Sequence, residues 1–292
     1  MPLVNVSVLL KDALRRGYAV GSFNMVGFEF LNGILEAAEE ENSPVILNIA
    51  EVHLPHMQVE QFVPAALHSA QRAGVPVAVH LDHGLHLDTV IKAIRWGFSS
   101  VMYDGSAGSF EENLETTKLV TRIAKPIGVS VEAEVGKVGG AETAEAAETA
   151  EAGTGAVPVP ESNYTDPDLA LRFVKETGID VLAVSVGNAH GFYKTPPKLD
   201  FERIRRVMEL VGIPLALHGG SGIPDESFTR AIRLGVAKIN YFTAMTFAAA
   251  KRIKEFVKTD PMGYEWIALE AKKAIKDVVK ERMRVFGSSG RA

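Results

Sequence analysis

VAVHLDHG, residues 77–84, is an apolar run that ends in Asp82, His83 and Gly84, and it has two counterparts later in the chain. LAVSVGNAHG at 182–191 carries His190, and IPLALHGGSG at 213–222 carries His218 ahead of a Gly-rich turn. Each run reads as a buried strand followed by a loop, the pattern of a parallel sheet covered on both faces. The three imidazoles can then converge at the rim where the strands end, and three histidines at one rim make an open zinc site.

The same pattern recurs along the chain. Strands are predicted at Ala19–Phe23, Val45–Ile49, Val77–Leu81, Ser100–Tyr103, Val129–Glu134, Val181–Val186, Pro214–Leu217 and Ala237–Asn240. Amphipathic helices are predicted between them at Phe28–Glu41, Val59–Ala73, Asp88–Trp96, Glu111–Ala124, Asp168–Glu176, Phe201–Val211 and Asp225–Leu234. Gly74, Gly97, Gly178, Gly212 and Gly235 follow these stretches as left-handed terminators. Eight such units predict an α/β fold, a (β/α)8 TIM barrel forming one domain over residues 1–292, with a doubly wound sheet as the competing architecture. Tyr264–Phe286 has helical spacing and predicts one or two extra C-terminal helices, for packing or subunit contact.

Composition narrows the chemistry. With 47% hydrophobic and 23% charged residues and a formal charge of −5, the chain has no general attraction for nucleic acid or anionic membranes. It has no cysteine, so imidazole and carboxylate are the metal-binding groups left to it. The N-terminal VNVSVLLKDALRRG places its charges after the apolar stretch, the reverse of a secretory signal, and no apolar run reaches about 18 residues. Cytoplasmic residence is the expectation.

One segment breaks the rhythm. AETAEAAETAEAGTGAVPVPESNYTDP repeats the hexapeptide AETAEA in tandem from residue 141 and then turns Gly- and Pro-rich. It has no apolar face, so Glu145, Glu148 and Glu151 read as solubilising. The segment follows the strand ending at Glu134, on the active-site rim of a barrel, where a low-complexity loop of about 136–163 is placed to act as a mobile lid.

Polar residues crowd the same rim: Asp82 before His83, Asp104 in VMYDGS, Glu132 and Glu134 in VSVEAEV, and the HGFYK, HGGSG and NYFT runs. Three neutral imidazoles would leave zinc its full double positive charge as a Lewis acid for a carbonyl oxygen. Gly219 and Gly220 allow close backbone approach and Ser221 adds a hydroxyl, which is phosphate-site chemistry at a late barrel strand. Taken singly, each feature has a plainer reading: a structural strand-end histidine, a turn, a helix cap for Asp82, a turn carboxylate for Asp104.

Together, HLDHG, DGS, VEAEVGKVGG, GNAHGFYK and HGGSG, in this order and spacing over nearly the whole chain, closely resemble the class II, zinc-dependent ketose-bisphosphate aldolases, which include fructose- and tagatose-bisphosphate aldolases. The resemblance implies a metal-dependent TIM barrel that reversibly joins dihydroxyacetone phosphate to an aldehyde, through an enediolate held by zinc. It implies His83, His190 and His218 as zinc ligands, Asp104 and Glu134 as holders of an alternative metal position, and Asp82 as the catalytic proton donor and acceptor. Glu142 matches a loop carboxylate that transfers a proton at the donor carbon. Gly191, Lys194, Gly219, Gly220, Ser221, Asn240 and Thr243 match the donor-phosphate positions, with a Na+ or K+ ion nearby, and Asn24, Tyr241 and Phe242 complete the candidate substrate contacts. The partner implied is a phosphosugar, and the assembly a homodimer or homotetramer.

The chain departs from the family pattern in two places. INYFTAM carries Tyr241, Phe242 and Ala244 where relatives have small or acidic residues, so the rings either reshape the donor site or point into the barrel wall. NIAEVHLPHM has Ala50 before Glu51 where many relatives have Ser, and His53 and His56 after it either contact substrate or, the reading favoured, are surface residues. Two other classes remain open from residues alone. A zinc hydrolase would carry a His-x-His pair on its first strand, which AVGSF at 19–23 lacks. A non-catalytic phosphosugar binder would need only the phosphate loops.

Overall fold

Strands that are apolar along their whole length need cover on both faces, and helical crossovers between parallel strands supply it. In the computed structural model, which describes residues 2–140, 159–191, 193, 195–260 and 263–292, eight parallel strands close into a barrel in chain order. They are β1 (Val20–Asn24), β2 (Val45–Ala50), β3 (Val77–Gly84), β4 (Ser100–Tyr103), β5 (Ser130–Val135), β6 (Val181–Val184), β7 (Leu215–Leu217) and β8 (Val236–Tyr241). The register of β1 on β8, Val20 opposite Lys238 and Ser22 opposite Asn240, closes the sheet and rules out the doubly wound alternative.

The helices that cover the outside are α2 (Phe28–Glu40), α3 (Val59–Arg72), α4 (Leu87–Trp96), α5 (Phe110–Ala124), α6 (Pro167–Thr177), α7 (Phe201–Val211) and α8 (Asp225–Arg233). Their buried faces pack on the outward strand residues to form one continuous apolar layer. Gly97, Gly178 and Gly212 end their helices in the left-handed conformation; Gly74 does not, because Ala73 closes α3 in an extended one. At the C-terminus α9 (Thr243–Phe256) precedes a single helix of 23 residues, α10 (Tyr264–Phe286), which packs on α9 and α2.

The sequence reading left residues 6–16 unassigned, and they form α1 (Val6–Arg16). Asn5 caps it by accepting from the Val8 amide at 3.0 Å, and Gly17 ends it at φ 69°. Its Val6, Leu9, Leu10 and Ala13 pack against Val20, Ile46, Ala78 and Ala237, which lie at or near the starts of their strands. α1 therefore plugs the N-terminal end of the barrel with hydrocarbon and leaves the C-terminal end for polar groups. Because Leu10 is fully buried in this plug, Leu10→Ala is expected to lower the unfolding free energy by about 2–5 kcal/mol. Urea denaturation followed by circular dichroism measures it, and the loss should leave metal binding at the far end of the barrel intact.

Candidate active site and metal centre

Alternation along β3 turns His80 and Asp82 into the barrel and would turn His83 out. His83 instead takes φ 40°, and the β3–β4 register shifts between Leu81 and Gly84, so its ring swings back toward the interior. Left-handed backbone at a non-glycine residue costs about 1–3 kcal/mol and persists only where the surroundings enforce it. The next residue has to be glycine, since a Cβ on Gly84 would lie 2.5 Å from the Met102 carbonyl oxygen.

The consequence is a triangle of imidazoles at the C-terminal mouth. His83 Nε2 lies 3.2 Å from His190 Nε2 and 2.7 Å from His218 Nδ1, and all three rings are buried. Carboxylates fix two of the rings from behind. His83 Nδ1 donates to Asp104 at 2.7 Å, and His218 Nε2 donates to Glu132 at 2.8 Å, which leaves the facing nitrogen of each ring for the cluster. Backbone contacts hold the other elements: the His190 amide donates to Gly139 at 2.7 Å, and Asn188 donates to the His218 carbonyl at 3.1 Å. Gly219, at φ 65°, passes so close to Ala189 that a Cβ would lie 2.1 Å from its carbonyl oxygen.

These residues fit a zinc ion. The ligand nitrogens of His83, His190 and His218 lie within 4.8 Å of one another, and imidazole is the ligand type such an ion takes in the absence of thiolate. His83 Nε2 and His218 Nδ1, 2.7 Å apart, face the same space, as ligands of one ion would. A second group, His83, Asp104 and Glu134, also lies within 4.8 Å, as the alternative metal position requires.

Charge in the pocket is balanced by burial against proximity. Burial pulls His83 down, but the neighbouring Asp82 and the hydrogen bond to Asp104 outweigh it and push the ring up to about 10. Burial and the His83 charge hold His190 and His218 below the ordinary histidine range. Burial, then the Asp104 charge, pushes Glu134 up to about 8. For Asp82, burial acts to raise the carboxyl, yet His83, His218 and Lys238 keep it well below the usual carboxylate range.

Asp82 is also clamped. Asn24 Nδ2 of β1 donates to one carboxylate oxygen at 3.0 Å, and Asn240 Nδ2 of β8 donates to the other at 2.8 Å. Asn48 holds Asn24 in turn, donating to its Oδ1 at 3.2 Å. Below them Lys238 Nζ sits 2.8 and 2.9 Å from the two Glu132 oxygens, and His80 bonds to Ser100 at 2.8 Å. Lys238, Asn48, His80 and Ser100 were missed in the sequence reading. A lysine inside the apolar VAKIN of β8 is the one signal that could have found them.

The other sequence candidates divide. Ser221 Oγ accepts from the Ala244 amide at 3.1 Å, and the Gly220 amide donates to the Asn240 carbonyl at 3.0 Å. The 219–221 turn and Thr243 thus meet at the N-terminus of α9, where unpaired amides favour an anion. Gly191 lies on the same rim at φ 100°, and Tyr193, unread from sequence, ties it down by bonding Ala189 and Gly219. Tyr241 takes the barrel-wall alternative and not that of a substrate contact: next to the inward Asn240 it must point outward, and its ring packs on Phe286 and under Arg282. Phe242 does stay at the mouth. His53 is corrected, for its ring is tucked against Phe242 at 4.9 Å, whereas His56 is exposed. Glu142 and Lys194 lie outside the described residues, as do residues 141–158 of the lid segment. The flanks of that segment are anchored, with the Lys137 amide donating to Asn163 at 2.8 Å.

The family model for fructose-bisphosphate aldolase class-II matches residues 4–291. A fructose-bisphosphate aldolase of Staphylococcus epidermidis is 42% identical over 299 residues, covering 100% of both chains. A Bacillus subtilis protein named "Probable fructose-bisphosphate aldolase" is 43% identical over 298 residues, again covering 100% of both. Among solved structures, the YdjI aldolase from Escherichia coli K12 superposes with a TM-score of 0.87 at 37% identity, covering 99% of each chain.

Glu132→Gln replaces the carboxylate shared by His218 and Lys238 with a neutral amide. The expected result is zinc affinity about 10- to 100-fold weaker in a chelator competition. Stability in urea should fall by about 3 kcal/mol, because Lys238 is left buried without its counter-charge.

Proposed function

The chain belongs to the class II fructose-bisphosphate aldolase family, and from that premise we propose that it reversibly cleaves a phosphorylated ketose, fructose 1,6-bisphosphate or a related ketose phosphate, to dihydroxyacetone phosphate and an aldehyde. The observation that carries this reading is the convergence of three imidazoles beside one clamped, ionised carboxylate, with Asp82 Oδ1 3.9 Å from His218 Nδ1. In this reading His83, His190 and His218 hold zinc, and Asp104 and Glu134 offer it a second position. Zinc bound there supplies positive charge to the donor oxygens on which negative charge develops.

Asp82 does the proton work at the bond that breaks. In cleavage its carboxylate takes the proton from the hydroxyl on the carbon that becomes the aldehyde, the carbon–carbon bond breaks, and its electron pair passes to the donor fragment. Asn24 and Asn240 hold both oxygens in place through this exchange. Glu142 is our candidate for returning a proton to the donor carbon. The turn at Gly219, Gly220 and Ser221, with Asn240, Thr243, Gly191 and Lys194, takes the donor phosphate, where the N-terminus of α9 favours negative charge. A Na+ or K+ ion beside that phosphate, a homodimer or homotetramer, and cytoplasmic residence belong to the same proposal. Among the described residues no helix is long and apolar enough to cross a membrane.

The donor half-reaction tests the proposal without the aldehyde. Zinc-loaded protein in D2O should exchange one hydrogen at the hydroxymethyl carbon of dihydroxyacetone phosphate, seen by proton NMR, and chelated protein should not. Asp82→Ala should lose at least about 100-fold in cleavage while keeping zinc and most of the exchange. Full cleavage in that variant, or no exchange by the zinc-loaded wild type, overturns the reading.

A further inference from the structure

Ala50, His53 and Phe242 lie on one side of the mouth. Ala50 is in register with Asp82 on the neighbouring strand. The turn that follows it, Glu51–His56, is pinned by Glu51, whose carboxylate accepts from the Leu85 amide at 2.5 Å, the His86 ring at 2.7 Å and the Thr89 hydroxyl at 2.7 Å. Those partners lie just after the strand that carries Asp82, so His53 is set at a fixed place beside it. The His53 ring packs on Phe242 with centroids 4.9 Å apart, and Phe242 on Phe30 at 6.1 Å. His53 Nδ1 is buried and has no hydrogen-bond partner among the described residues.

Resting on the aldolase reading above, we infer that His53 and Phe242 form the wall of the acceptor subsite and select aldehydes that meet it with an uncharged, hydroxylated carbon chain over aldehydes that meet it with a phosphate. Asp82 handles the hydroxyl on the acceptor carbon, so the wall nearest Asp82 on the β2 and β8 side faces the acceptor. Among the described residues the rings that pack together there are Phe242, Phe30 and His53. Burial holds that imidazole below the ordinary histidine value, so it meets a ligand as a neutral hydrogen-bonding group. A phosphate dianion pressed against these rings would lose water and gain no counter-charge from them, whereas a hydroxyl can bond the unpaired Nδ1. Ala50 adds a methyl group and no donor. The ketose favoured is therefore a 1-phosphate whose far end carries hydroxyl groups.

Zinc-loaded protein, dihydroxyacetone phosphate as donor, and D-glyceraldehyde or D-glyceraldehyde 3-phosphate as acceptor make the test. Wild type should show kcat/KM at least tenfold higher for glyceraldehyde than for its phosphate. His53→Ala should raise the KM for glyceraldehyde about tenfold more than it slows donor exchange, and His53→Gln, which keeps a hydrogen-bonding group, should recover part of the loss. An equal or reversed acceptor preference in wild type overturns the inference, as does a His53→Ala protein whose acceptor KM moves no more than its exchange rate. In both cases intact zinc-dependent exchange would leave the aldolase reading standing, and absent exchange in wild type would remove both together.

Discussion

A single buried carboxylate, Glu132, holds the interior of this barrel together. It lies between Lys238 Nζ at 2.8 Å and His218 Nε2 at 2.8 Å, with all three side chains fully buried. An isolated carboxylate at that depth would take up a proton, and burial does act to raise it. The Lys238 charge and the His218 hydrogen bond outweigh that and keep it ionised. Its ionised state decides which nitrogen of His218 carries the proton and which faces the cluster. The same logic runs through Asp104 and His83, so two carboxylates behind the rings determine what the front of the rings can bind.

The fold makes this arrangement affordable by separating its two ends. At the N-terminal mouth α1 and the apolar strand starts form a dry plug. At the C-terminal mouth the inward positions are Asn24, Asp82, Glu134, His218 and Asn240; Asn24 and Asn240 both donate to Asp82, Asn240 also meets His218, and Glu134 accepts from the Val138 amide. Polar groups concentrated at one end can share partners, which is the condition under which buried hydrogen-bond networks are stable. The hydrophobic layer between strands and outer helices then carries most of the apolar burial independently of the site.

Much of this was legible from residue patterns. β4 and α7 lie where the sequence placed them, and the three histidines and their two carboxylate neighbours do converge. What escaped has definite causes. α1 lies outside the strand–helix alternation, and its stretch was weighed only as a secretory signal, although Val6, Leu9, Leu10 and Ala13 are at helical spacing. For Tyr241 the reading left two placements open, and the pleat decides between them, because an inward Asn240 forces its neighbour outward. His83 is the opposite case, since alternation points it the wrong way and only a left-handed backbone brings it in. The glycine after it was the visible trace of that geometry. Lys238 was overlooked because a lone charge in a strand carries no partner with it in sequence; Glu132, 106 residues away, became its partner only through barrel closure.

Closure also explains why the carboxylate at the centre of the site is clamped as it is. Asp82 sits on β3, yet its two donors come from β1 and β8, the strands that meet at the seam of the barrel. β2 lies between Asp82 and Asn24, and the residue it presents opposite Asp82 is Ala50. A methyl group there leaves room for Asn24 to cross to the carboxylate, and Asn48 one pleat below steadies it. A strand order left open at the seam would separate Asn24 from Asn240 and leave one oxygen of a buried carboxylate without a donor. The first and last strands are thus tied to the reacting group through the same contacts that close the fold, so local loosening at the seam would reach Asp82 before it reached the hydrophobic layer.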